Sequence, residues 1–174
     1  MQVYDATVPC FSNMLKALHA MLEKAERSAL DLGHDPQDLL QARLAPDMHP
    51  LALQVKFVCT QALESVQRLT HSSLPAIATP TDMATAKALI DTTVAALNQA
   101  DADAINASAE CRIAIELYGG LAFDMTGQEY AVNWAIPQFY FHMVTAYDIL
   151  RHNGVDLSKA DYVAHMFAYA RKPV

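Results

Sequence analysis

His142 and Gln138 are the two residues whose types and spacing most suggest shared chemistry. Four positions apart on a helix, they are near neighbours on one face. An imidazole can take or give a proton, bind a metal or orient a substrate. A carboxamide beside it offers one acceptor and two donors. Gln54 flanks a second apolar seam. His49 lies near a helix start, where an exposed surface histidine is the simplest reading, and His152 suits the positive charge favoured at a helix end. His19, His34, His71 and His165 have no ligand-like spacing to one another. Cys10, Cys59 and Cys111 are far apart and form no CxxC pair, as expected of reduced, mostly buried small hydrophobes. There is no GxGxxG, no phosphate-binding P-loop and no GxSxG elbow.

The elements that must position these groups follow from apolar spacing. His142 and Gln138 fall within Asn133–Val155, which reads as one long helix with a seam of Ile136, Phe139, Met143, Ala146 and Leu150. Arg151 and His152 suit its C-terminal dipole, and Gly154 can stop it in the left-handed conformation. A first helix is expected from Thr7 to Leu32, with Thr7 as its cap and Pro9 tolerated in its first turn. Its seam of Val8, Phe11, Leu15, Leu18, Leu22, Ala25, Ala29 and Leu32 is that of a helix in a bundle. A second helix is expected from Asp47 to Thr70, capped by Asp47, with Met48, Leu51, Val55, Val58, Ala62 and Leu69 inward. A loop over residues 71–80 leads to a third helix from Asp82 to Gln99, capped by Thr81 or Asp82, with Met83, Ala86, Ile90, Val94 and Leu97 inward. Period-two runs around Gly119-Gly120 predict a hairpin, which must lie against the helices because two strands alone are marginal. Asp101 and Asp103 sit in an Ala-rich stretch and read as caps of the next segment. Ser158 to Asp161 resembles a capping box that starts a short helix to about Tyr169, and the last residues are expected to fray. No repeat or linker interrupts the chain, so a single domain over 1–174 is expected: an all-α four-helix bundle with a small β-hairpin between helices three and four.

Composition narrows the function classes. The net charge of -7 argues against a sequence-independent nucleic-acid binder, which needs clustered Lys and Arg. Charged or polar residues interrupt every apolar run before membrane-spanning length, and no secretion signal is visible at the N-terminus. A cytoplasmic protein is the expectation. Phe139, Tyr140, Phe141 and Tyr147 cover more than one helix face, so a homodimer through helix faces is expected.

Three blocks carry a family likeness: PCFSNMLKAL at Pro9–Leu18, LLQARLAPDMHPLALQV at Leu39–Val55, and PQFYFHMVTAYDILRHNGVDLSKADY at Pro137–Tyr162. Together they resemble the bacterial domain of unknown function numbered nineteen-ninety-three, in the DinB/YfiT-like superfamily of four-helix bundles. The resemblance implies a metalloenzyme-like fold. Relatives often hold a divalent metal through three histidines, and some are thiol-dependent transferases or hydrolases. Carried over by position, the helix-four pair falls on Gln138 and His142, and the helix-two ligand falls on Gln54. One histidine thus stands where such relatives have three. A neutral amide is a poor ligand for zinc or nickel. His49 could join His142 as a metal ligand only if Pro50 distorts the helix start. No cofactor is therefore assigned, and a divalent metal is disfavoured.

Three readings of His142, Gln138 and Gln54 follow. They form a satisfied buried network, a polar pocket for a small-molecule ligand, or a weak metal site. At the level of function, a small-ligand-binding bundle with a degenerate metal site around His142 stands beside a transferase or hydrolase using a metal or His142 as general base.

Overall fold

The apolar seams meet in one connected core, which the computed structural model describes for residues 1–73 and 76–171. In chain order the elements begin with α1 (Val3–Asp31), the one-turn α2 (Asp38–Gln41), α3 (Leu51–Thr70), α4 (Met83–Leu97) and the short α5 (Ala102–Ala107). A hairpin of β1 (Arg112–Glu116) and β2 (Ala122–Thr126) follows. Then come α6 (Gly127–Tyr130), a π turn over Ala131–Ala135, α7 (Ile136–His152), α8 (Lys159–Tyr162) and a 3-10 segment, Ala164–Tyr169. α3 packs against α1, α4 and α7, and α1 packs against α4 and α7. This is the expected four-helix arrangement. At its centre Phe11 of α1 stacks on Phe139 of α7, with ring centroids 4.3 Å apart. Leu15, Leu18, Val55, Val58, Met83, Ile90, Met143 and Ala146 are buried around them.

Two helix starts differ from expectation. α1 begins at Val3, so Pro9 lies inside it rather than in its first turn. Thr7 is not a cap: it is buried, and its hydroxyl donates to the Val3 carbonyl at 2.8 Å. The first turn is served instead by Asn106, whose side-chain oxygen accepts from Tyr4 N–H at 3.0 Å. Pro9 cannot donate to the Asp5 carbonyl, and the Cys10 thiol lies 3.6 Å from that oxygen instead. α3 begins at Leu51, four residues after the expected cap Asp47. A residue before proline is pushed away from helical backbone, so His49 before Pro50 stays outside the helix, with Asp47 and Met48 before it.

Other ends follow the sequence closely. Asp82 and Thr85 form a reciprocal capping box on α4. Asp101 caps α5 by accepting from the N–H groups of Asp103 and Ala104. α5 itself is too short to announce itself by periodicity. α7 stops at Asn153 and Gly154, where Gly154 takes φ 83° and Val155 N–H reaches back to the Leu150 carbonyl at 3.1 Å. Ser158 and Asp161 make the expected box. α8 then gives way to the 3-10 segment rather than running on as α-helix. Of the expected loop, Leu74 and Pro75 lie outside the described residues, as do residues 172–174 of the expected frayed end.

The hairpin pairs Ile113 with Met125 and Ile115 with Phe123. Ile113 and Ile115 point into the core, and the Arg68 side chain of α3 pins β1 by donating to the Ala114 carbonyl at 3.2 Å. Helix four starts earlier than expected, because Thr126 and Glu129 form a capping box at Gly127. Gly127 N–H donates to the Cys111 carbonyl at 2.9 Å. A Cβ at this position would run into the backbone carbonyl of Ser108. Gly127→Ala should therefore cost about 1–3 kcal/mol by overpacking, read as a lower urea midpoint at unchanged slope. An unchanged midpoint would mean that the Ser108 segment moves aside freely.

Candidate functional site

Gln54 sits in the first turn of α3 and is 2% exposed. A carboxamide buried so deeply needs partners at both ends. Its Nε2 donates to the His49 carbonyl at 3.1 Å, in the segment just before the helix. That bond turns Oε1 towards α7, where His142 Nδ1 lies 2.9 Å away. An amide oxygen has no proton to give, so the imidazole is the donor. His142 is thereby held as its Nδ1–H tautomer, and Nε2 keeps a free lone pair.

The surroundings are aromatic. Phe57, one turn after Gln54 on α3, lies against His142 with centroids 4.9 Å apart. Phe141 meets the imidazole edge-on at 5.2 Å, and the His49 ring packs on the other partner, Phe57, at 5.3 Å. Burial among these groups pushes the His142 imidazole down from 6.5 to about 4, with a smaller contribution from His49. It is neutral at pH 7.

Tertiary structure thus brings Gln54 to His142. Gln138 is half-buried one turn earlier on α7 and shares no hydrogen bond with either. The expected three-residue network is a two-residue pair closed by the His49 backbone. His49 contributes its carbonyl and the packing of its ring rather than a ligand nitrogen. Phe57 was legible in principle, being three residues from Gln54 on the same helix face. The His49 carbonyl was not, since side-chain spacing says nothing about which backbone group a buried amide will find.

The π turn helps aim this face. Ile136 N–H reaches five residues back to the Ala131 carbonyl, and Pro137, which has no N–H, follows. The extra residue advances α7 by about 100° relative to α6. Tyr130 is fully buried ahead of it, while His142 meets Gln54 of α3.

The divalent metal implied by the resemblance does not fit this donor set. One free imidazole nitrogen is available, the Gln54 oxygen is already engaged, and Gln138 offers a neutral amide. Among the described residues no three His, Cys, Asp or Glu side chains converge as a metal site.

The family described as "Domain of unknown function (DUF1993)" matches residues 3–163. The chain belongs to the DUF1993 family. It is also similar to a crystal structure of a DinB family member protein from Shewanella denitrificans, with TM-score 0.84 and 36% identity over 98% of this chain and 93% of that one. No curated protein sequence matches it. The DinB-like helical fold with its small two-stranded sheet is therefore established for this DUF1993 protein, whose family description names no reaction. Among the described residues no helix is long and apolar enough to cross a membrane.

The depressed imidazole sets a pH dependence. The unfolded chain takes up a proton near 6.5, but folded His142 resists it until about 4. Across that window the unfolded state binds more protons, so stability falls as pH drops from about 6.5 towards 4. In NMR titration the His142 ring of this DUF1993 protein should report a midpoint near 4. His142→Gln should flatten that part of the stability profile. A midpoint at 6.5 would mean that the ring is solvated and the Gln54 pairing absent.

Proposed function

We propose that this DUF1993 chain is a small-ligand-binding bundle whose polar anchor is the neutral imidazole of His142. The supporting observation is the hydrogen bond from His142 to Gln54, which leaves Nε2 as an acceptor on a ring packed against Phe57 and Phe141. Such a site suits a flat, largely apolar molecule carrying one N–H or O–H donor, with Gln138 at its edge. The rings supply contact area, and the imidazole nitrogen supplies orientation. On this reading the chain is a single domain, works in the cytoplasm and forms a homodimer. Phe141 is 61% exposed and Val144 42%, so a second copy laid on α7 would cover both and close the site. The net charge supports a partner that is neither nucleic acid nor an anionic membrane.

The competing reading is a transferase or hydrolase in which His142 accepts a proton from a thiol or water. Its free Nε2 is the feature in favour. Against it, a base held near 4 drives proton abstraction weakly at neutral pH, when catalysis is best served by a value near the working pH. Binding is therefore the better-supported role.

Indole, a flat ring with one N–H donor, is a direct probe. Added to the protein, it should shift the ring signals of His142, Phe57 and Phe141 in a saturable way. His142→Ala should weaken that binding by about tenfold, the worth of one lost hydrogen bond in a shielded site. Stoichiometric metal in the purified protein, lost in His142→Ala, would instead favour the enzyme. The dimer is checked separately by light scattering. Phe141→Asp should convert a dimer into a monomer with its fold retained, and a monomeric parent protein would remove the dimer from the proposal.

A further inference from the structure

A concave site lies at the opposite end of α3, fourteen residues or roughly 20 Å along the helix from Gln54. It is a recess of about 270 Å³ between the last turn of α3 and β1, and among the described residues it is lined by Gln67, Arg68, His71, Ser72 and Arg112 with the backbone of Ile113 and Ala114. Among the described residues no carboxylate lines it. Two guanidiniums, an imidazole and a hydroxyl facing one recess are unusual in a chain of net charge -7.

Both arginines are held from behind. Arg68 gives Nε–H and an Nη2–H to Glu64, one turn earlier on α3, and an Nη1–H to the Ala114 carbonyl at 3.2 Å. Arg112 gives Nε–H to Asp124 at 2.9 Å across the hairpin, with Nη2 2.8 Å from the same oxygen. Glu64 and Asp124 are outside the lining, so these pairs orient the guanidiniums without filling the recess. A guanidinium carries five N–H donors, and each arginine therefore keeps some to offer. Arg112 Nη1 has no partner among the described residues. His71 sits at the C-cap in the left-handed conformation at φ 53°, and the Ser72 hydroxyl after it donates at 2.9 Å to Thr70, whose own proton goes to the Val66 carbonyl. Glu64 and Asp124 balance the two guanidiniums and the C-terminal end of α3 carries about half a negative charge, so the recess holds an anion through its remaining N–H donors rather than through net charge.

We propose that this recess binds a small oxyanion, the phosphate or carboxylate group of a metabolite, through Arg68 and Arg112. The N–H groups left over on the two guanidiniums can meet oxygens of such a group, and His71 can add a further hydrogen bond. The site is separate from His142, and its success or failure does not depend on the reading given to that residue.

The test is a titration of the full chain with inorganic phosphate, and separately with acetate, at ionic strength fixed with chloride. The readout is the arginine Nε–H signals in nitrogen-15 NMR. Saturable shifts at Arg68 and Arg112, with Arg27 and Arg43 unmoved, are expected for at least one anion. Phosphate alone would name a phosphorylated ligand, and acetate alone a carboxylate. Arg112→Gln, on an exposed strand position, should weaken binding about tenfold with the thermal midpoint retained. Non-saturating shifts spread over all arginines would overturn the proposal, as would unaltered affinity in a folded Arg112→Gln protein.

Discussion

A buried carboxamide has to satisfy an acceptor and a donor at once, and Gln54 does so by joining three parts of the chain. Its amide nitrogen takes the His49 carbonyl and its oxygen takes His142. Leaving either end unpaired at 2% exposure would cost on the order of 1–3 kcal/mol. The polypeptide before α3, the first turn of α3 and the middle of α7 are therefore tied in one geometry. The imidazole tautomer, its depressed proton affinity and the direction of its free lone pair all descend from that tie.

The tie only works because the core delivers α3 and α7 side by side. Phe11 stacked on Phe139 fixes α7 against α1, and the seams of α3 and α7 close the same interface from the other side. Proline shapes both ends of the arrangement. Pro50 holds His49 out of the helix, which frees its carbonyl for Gln54. Pro137 follows a π turn that rotates α7 into register. Each proline thus helps set where the imidazole points.

Electrostatically, α3 has two unlike ends. At its start a neutral imidazole is ringed by Phe57, Phe141 and His49, where burial suppresses charge. At its finish two guanidiniums are oriented by carboxylates that stay behind them. The acidic balance of the chain as a whole does not reveal this local grouping of N–H donors. Net charge speaks to non-specific partners, whereas a small anion responds to the few ångströms around it.

The four apolar seams, the capping residues at Asp82, Asp101 and Ser158, the stop at Gly154 and the glycine turn of the hairpin were all legible in the residues. These are local features, decided by periodicity and by side chains that reach only a few positions along the chain. The same locality explains the misses. Thr7 has the type of a cap but is buried within α1, because Asn106, about a hundred residues away, serves the first turn. Asp47 has the type of a cap, but Pro50 delays the helix. For the site, sequence put His142 and Gln138 on one edge and Gln54 on the flank of another helix. It could not decide that Gln54 would bond His142 while Gln138 would not, since that choice rests on an 88-residue separation closed by packing and on one backbone carbonyl. Spacing along a helix is set by its 3.6-residue period, but partners across helices are set by which buried polar atoms are left without water.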